Sequence, residues 1–182
     1  MAWEKCGCTT RVAVQPRIVL PLSVVYSNKW RGVVDASRAV NPFVVKNKVF
    51  LEPLSSIGEV VRRGDFLSKQ DLSSGYHHVM IHPDARKNFG VHYVHDDGSV
   101  TFWVWNVLFL GERNAVFLFT KILKPHRRFL AERGIRNRLW IDDFLIISSS
   151  FLKCLSDTKT HLEALHLAGW VVHSKKCENH PM

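Results

Sequence analysis

The sequence predicts an α+β fold in which helices back one face of an antiparallel sheet. Two hairpin signals and three stretches of helical periodicity carry that expectation, interleaved along one chain. The first hairpin, Phe89–Leu110, turns at Asp97-Gly98 between alternating apolar residues. The second, Asn137–Ser148, joins two apolar runs across an acid pair. With 182 residues, 46% apolar and 23% charged, residues 1–182 read as one globular domain, or as part of a larger one.

In chain order, Arg17–Ser27 is rich in β-branched residues and predicts a strand. A short apolar strand follows at Gly32–Val34, then a turn near Asn41-Pro42. Residues 52–66 predict a helix. Pro53 suits an early helical position, Leu54, Ile57, Val60 and Val61 form an apolar face, and Gly64 stops it. The stretch FLSKQDL (Phe66–Leu72) is a short strand running into a polar turn. Beyond the first hairpin, Asn114–Gly134 predicts a helix with an apolar face from Val116, Phe117, Ile122 and Leu123, kinked or divided at Pro125. Asp157–Trp170 predicts an amphipathic helix stopped by Gly169.

Lys and Arg outnumber Asp and Glu by 25 to 16, a formal charge of +9 that attracts polyanions. Cys6, Cys8, Cys154 and Cys177 fit neither a dense disulfide framework nor a paired zinc pattern, so free thiols in a reducing compartment are expected. No apolar run is long enough to span a bilayer, and MAWEKCGCTT lacks the core of a secretory signal. An intracellular location without a membrane partner is expected, in cytoplasm or nucleus; the oligomeric state is left open.

Asp142-Asp143 sits among Trp140, Ile141, Phe144, Leu145, Ile146 and Ile147. One reading makes the acids hairpin turn residues facing water. Against it, Asp96-Asp97-Gly98 has the glycine that a tight turn prefers, and Asp142-Asp143 has none. The other reading holds the pair in a partly desolvated place. Adjacent like charges resist joint ionisation unless a cation intervenes, and hard divalent cations take carboxylate oxygens. Asp71, at the end of a strand before Ser-Ser-Gly, is either a helix cap or the third acid of that cluster. Three such carboxylates suit two metals ~3.5–4 Å apart, on the attacking and leaving oxygens of a phosphoryl transfer.

SKQDLSSGYHHVMIHP (68–83) resembles the first catalytic motif of retroelement reverse transcriptases, and LWIDDFLI (139–146) their aromatic-x-Asp-Asp hairpin. PLSVVYSNKWRGVVDASRAVNPF resembles the fingers segment, NVLFLGERNAVFLFTKILKP the motif usually written Leu-Pro-Phe-Gly-Leu, and LEALHLAGWVVHSKKC the region after the hairpin. The order and spacing match, and GYHH, FTKILKP and SKKC are closest to DIRS-type retrotransposons. The resemblance implies a right-hand polymerase: fingers and palm, with an antiparallel palm sheet backed by helices and the thumb missing. It implies an RNA-directed DNA polymerase that adds deoxynucleotides to a primer 3′ hydroxyl on an RNA or DNA template.

Carried over residue by residue, the resemblance makes Asp71, Asp142 and Asp143 the metal-binding acids. Asp71 and Asp142 are then the main ligands of two Mg²⁺, with Mn²⁺ as a substitute. Lys176 matches a lysine that protonates pyrophosphate, with Lys175 its rival; an ordinary surface lysine is the competing reading. Tyr76 matches the aromatic gate that excludes a 2′ hydroxyl, against a half-buried core tyrosine. The Leu72 backbone, Ser74, Gly75, Leu110 and Gly111 border the nucleotide, and Arg31 with Lys29 grips its triphosphate. Lys121, Lys124, Arg127 and Arg128, clustered with Arg133, Arg136 and Arg138, track template or primer phosphates, or form a solvated helix face. Asp35, Arg38 and Asn41 resemble an Asp…Arg…Asn run, with Arg38 one place late. Three departures stand out: Leu108-Phe109-Leu110-Gly111-Glu112 replaces Leu-Pro-Phe-Gly-Leu, Trp140 replaces tyrosine, and no thumb follows KKCENHPM. They favour an alternative, a truncated and inactive retroelement remnant that at most binds nucleic acid. An unrelated basic α+β protein with a plain turn at Asp142-Asp143 is the third reading.

Overall fold

The computed structural model describes residues 2–26 and 30–182, the side chain of Leu54 excepted. Lys29, expected to grip a triphosphate, and Ser27 of the first predicted strand lie outside the described residues. In chain order the elements are α1 (Ala2–Lys5), β1 (Thr9–Val12), β2 (Leu22–Tyr26), β3 (Trp30–Val34), α2 (Ile57–Val60), β4 (Phe66–Asp71), α3 (Pro83–Arg86), β5 (Gly90–Val94), β6 (Val100–Trp105), α4 (Ala115–Glu132), β7 (Arg136–Trp140), β8 (Asp143–Ser148) and α5 (Phe151–Leu167). Every strand pair among them is antiparallel, and the mixed α+β expectation holds. The strands form three sheets rather than the single one expected. Two compact units contain them: residues 1–47 with 76–116, and residues 48–75 with 117–182.

In the first unit the sheet order is β1-β6-β5, and β2 and β3 form a separate ribbon. The Asp97-Gly98 hairpin forms as predicted: His95 N–H donates to Ser99 O at 2.8 Å, and the Asp97 carboxylate accepts the Ser99 amide at 2.9 Å. The predicted strand from Arg17 is shortened. Pro21 lacks the N–H a ladder needs, so β2 begins at Leu22 while Leu20 N–H goes instead to Gly90 O at 2.7 Å. Leu20, Val34, Val91, Trp103, Trp105 and Phe109 form the centre of this unit's core.

In the second unit β8 is the central strand, between β4 and β7. Its apolar run Phe144–Ile147 is buried except at Leu145, as a strand covered on both sides should be. Helix α5 packs on β4 and β8. It starts earlier than predicted, at Phe151, because Ser150 caps it by accepting the Lys153 amide at 3.3 Å. Asp157, expected near its start, is instead buried and accepts the Ser148 hydroxyl at 2.5 Å and the Lys153 ammonium at 2.9 Å. The segment after α5 runs along the outer edge of β4, where Lys69 and Glu178 exchange backbone hydrogen bonds at 3.1 and 2.8 Å.

Two predicted helices are corrected. The expected helix over 52–66 is a 3₁₀ turn at Leu54–Ser56 followed by α2, which ends at an extended Val61. The Arg136 guanidinium takes the Val60 carbonyl at 2.9 Å and the Asp65 carboxylate takes the Arg62 amide at 2.7 Å, so helical bonding does not continue to Gly64. Helix α4 is not divided at Pro125, which lies exposed within it. Its buried residues in this unit are Phe119, Leu123, His126 and Leu130; Ile122 faces out. Both long helices end in the predicted glycine motif, with Ile135 N–H on Leu130 O and Trp170 N–H on Leu165 O, each at 2.9–3.0 Å. No helix among the described residues is long and apolar enough to cross a membrane.

Beneath β8 two histidines share one hydrogen bond, His126 Nε2 to His161 Nδ1 at 2.9 Å, against the Phe144 ring. Burial pushes His126 down to about 4, and burial with its neighbour pushes His161 down to about 3. Both folded values lie below the unfolded histidine's ~6.5, so the pair stabilises the fold fully above that pH and loses its contribution as pH falls toward 4. Urea unfolding is expected to lose about 2 kcal/mol per histidine between pH 7 and pH 5. A His126→Gln/His161→Gln variant is expected to flatten that slope.

Candidate active site

Strand β4 runs antiparallel to β8 with Asp71, its last residue, directly opposite Asp143, the first residue of β8. Opposed residues of an antiparallel pair project from one face. On the other side Trp140 pairs with Asp143, so the hairpin turn is Ile141-Asp142, one residue earlier than the acid pair suggested. The Asp142 carbonyl accepts the Leu72 amide at 3.1 Å, tying the turn to the end of β4. A two-residue hairpin loop needs positive φ at its first position, and Ile141 supplies it at φ 57°. A β-branched residue there costs about 1–2 kcal/mol. Ser74, in the turn after Asp71, is the other non-glycine residue with positive φ, at 53°. Strained backbone on both sides of the acids is the pattern of a site whose geometry is imposed by its surroundings.

Burial raises the Asp142 carboxyl above the usual range; its backbone hydrogen bond opposes this, the charges of Asp143 and Asp71 add to it, and Lys176 offsets part. Lys176 Nζ donates to Asp71 Oδ2 at 2.6 Å, and that hydrogen bond, with the three carboxylate charges, raises the lysine. Lys69 Nζ lies 3.5 Å from Asp143 Oδ1. Lys69 escaped notice in the sequence, although its position two residues before Asp71 places it on the same strand face. Gly75 leaves room that no other residue would: a Cβ there would meet the Phe119 ring at 2.7 Å and lie 3.5 Å from Asp142 Cβ. The structure thus brings Asp71, Leu72, Gly75, Asp142, Asp143 and Lys176 into one neighbourhood. Carboxylate oxygens are the donors a hard divalent cation takes, and the two ammonium groups lie where such positive charge is favoured. Among the described residues, however, no three His, Cys, Asp or Glu side chains are gathered into one metal-holding group.

The basic cluster divides. Glu52 takes Arg127 at 2.6 Å and Arg138 at 3.3 Å, Asp65 takes Arg136 at 2.7 Å, and Glu132 takes Arg128 at 2.8 Å. Arg133 lies over the Phe129 ring. Lys121 and Lys124 remain on the exposed face of α4, where with Lys48, Arg127, Phe117 and Ile141 they line a groove of about 290 Å³. Glu52 carried no signal in the sequence, since its partner Arg127 is 75 residues away.

The remaining predicted residues belong to the first unit. Arg31 is an exposed residue of β3 opposite Val25. Tyr76 is half-buried against the core. Leu110 is exposed, and Gly111, at φ +114°, sits so close to Val34 that a Cβ would lie 2.5 Å from its carbonyl oxygen. Asn41 holds this loop: its amide donates to Gly111 O at 2.8 Å and its oxygen accepts the Arg113 amide at 2.9 Å. The departures are accommodated locally. Phe109 is buried between Trp105 and Phe89, and the Glu112 carboxylate accepts the Asn114 amide at 2.9 Å just before α4.

A foamy viral protease–reverse transcriptase solved in complex with double-stranded DNA is similar, with a TM-score of 0.80 at 23% identity over 97% of this chain and 29% of that one. The native prototype foamy virus protease–reverse transcriptase gives 0.77 at 21% identity, over 97% of this chain and 22% of that one. The chain has a reverse-transcriptase-like fold. In sequence it is similar to the Gag-Pol polyprotein of koala retrovirus, 24% identical over 166 residues, which is 88% of this chain and 10% of that polyprotein. No family model matches.

Gly75→Ala is expected to destabilise the protein by about 1–3 kcal/mol in urea unfolding, because Phe119 must move. Asn41→Ala is expected to cost about 0.5–1.5 kcal/mol and to speed amide exchange at Arg113, the donor it leaves to water.

Proposed function

We propose that this chain is the fingers and palm portion of a retroelement's RNA-directed DNA polymerase, of the DIRS type that its motif wording resembles. The observation that carries the reading is the register of Asp71 opposite Asp143, beside the Asp142 turn, in a reverse-transcriptase-like fold. Asp71 and Asp142, with Asp143 in support, would hold two Mg²⁺ ions, or Mn²⁺ in their place. When bound, these ions neutralise charge on the attacking and leaving oxygens. Burial raises Asp142 first, and the charges of Asp143 and Asp71 add to it, so divalent charge is favoured at this place. Lys176 keeps its proton beside Asp71 and serves as donor to the departing pyrophosphate. Tyr76 gates the sugar, Leu72, Ser74, Gly75, Leu110 and Gly111 border the nucleotide, and Arg31 with Lys29 grips its phosphates. The partners are deoxynucleoside triphosphates and a primer on an RNA or DNA template. Lys121, Lys124, Arg127 and Arg128 follow the nucleic acid's phosphates, the first two more freely, since Glu52 and Glu132 already pair the arginines.

A second reading, an inactive remnant that only binds nucleic acid, is favoured by the ammonium groups on Asp71 and Asp143 and by the lack of a gathered metal cage among the described residues. Primer extension with Mg²⁺ separates the two. Extension is expected from this chain and a loss of roughly a thousandfold in Asp142→Asn, the several kcal/mol that a metal ligand supplies. Equal extension by both counts against polymerisation at these acids, and none by either supports the remnant.

A further inference from the structure

Cys6 and Cys8 flank the junction of α1 and β1, away from the residues assigned above. Their sulfurs are 3.1 Å apart, within about 1 Å of a disulfide bond length. The two thiols are unequal. Cys6 is exposed, whereas Cys8 is 5% exposed and belongs to the first unit's core. Between them Gly7 has φ +75°, a backbone conformation that turns the chain sharply and brings the two thiols to one side, and its carbonyl accepts the Asn106 side-chain amide at 2.9 Å. The other cysteines lack this arrangement: Cys154 is buried against the Phe66 carbonyl, and Cys177 accepts the Asp71 amide.

We propose that Cys6 and Cys8 form a redox-reactive dithiol, a site of modification by low-molecular-weight disulfides such as oxidised glutathione, with Cys6 as the attacking thiol and Cys8 as the resolving one. The exposure of Cys6 and the burial of Cys8 set the order of the two steps; hydrogen bonding with Cys8 lowers Cys6 and burial raises Cys8 to about 12, in the same sense. The Cys6 thiolate attacks one sulfur of glutathione disulfide, the S–S bond breaks, and one glutathione leaves as thiolate and takes up a proton. The Cys8 thiol gives its proton to solvent and attacks the Cys6 sulfur, expelling the second glutathione. The protein is oxidised by two electrons, and glutathione disulfide is reduced to two thiols. Closure would staple the end of α1, whose Trp3 packs on the Trp105 ring at 4.9 Å and against Gly32 of β3.

The test incubates the whole chain with glutathione disulfide, alkylates the remaining thiols and maps them by mass spectrometry. Wild type is expected to fall from four alkylatable cysteines to two, with the Cys6–Cys8 peptide lighter by two hydrogens and free of glutathione. Cys8→Ser is expected to stop with glutathione on Cys6, and Cys6→Ser to leave Cys8 alkylatable after unfolding. Wild type that keeps both thiols, or accumulates glutathione on Cys6 without closing, overturns the proposal, as does faster oxidation of Cys154 or Cys177.

Discussion

The pairing of β4 with β8 is the constraint on which the acid site depends. Asp71 and Asp143 are 72 residues apart in sequence, and only this register sets them opposite each other. A slip of one residue would turn one of them to the other face and would exchange the faces on which Phe144, Ile146 and Ile147 pack. The apolar run of β8 therefore fixes the acids indirectly, because Phe144, Ile146 and Ile147 must face their buried sides. Helix α5 covers one side, and the segment after Trp170 closes the outer edge of β4. The strained turn at Ile141 follows from the same register, since two residues must reverse the chain between Trp140 and Asp143.

Charge is distributed by this frame rather than by composition. The excess of cations in the sequence suggests a uniform attraction for polyanions, yet the arginines near α4 are largely engaged by Glu52, Asp65 and Glu132. Arginine's planar fork suits such pairing, whereas the lysines at 48, 121 and 124 line a groove as point charges. The two lysines at the acids act differently again. Lys176 and Lys69 compensate carboxylates that the sheet forces together, and compensation of that kind is what lets like charges share a partly buried place.

The stretch Leu108–Glu112, which resembles a Leu-Pro-Phe-Gly-Leu motif with substitutions, is accommodated by local packing and hydrogen bonding. Phe109, at the place where the resembled motif has proline, is buried in the core in an aromatic neighbourhood. Glu112 meets an amide at the start of α4, where a carboxylate is favoured by the unpaired N–H groups of the first turn. Gly111 keeps its close approach to Val34, held by both atoms of the Asn41 amide.

Local pattern by itself determined a good deal. The Asp97-Gly98 hairpin, the helices α4 and α5 with their glycine stops, the short strand ending at Asp71 and the strand pair around Asp142-Asp143 all follow from periodicity and turn chemistry. Each of these signals acts over a few residues, which is the range of backbone propensity. Three things were beyond that range. The 52–66 helix is cut short by Arg136, the turn is held at Ile141-Asp142 by the Leu72 amide and the pairing of Asp143 with Asp71, and Lys69, Glu52 and Phe119 reach their partners only in the folded chain. Tertiary structure decided them because long-range pairing sets which groups meet, and a sequence carries no distance between residues that far apart.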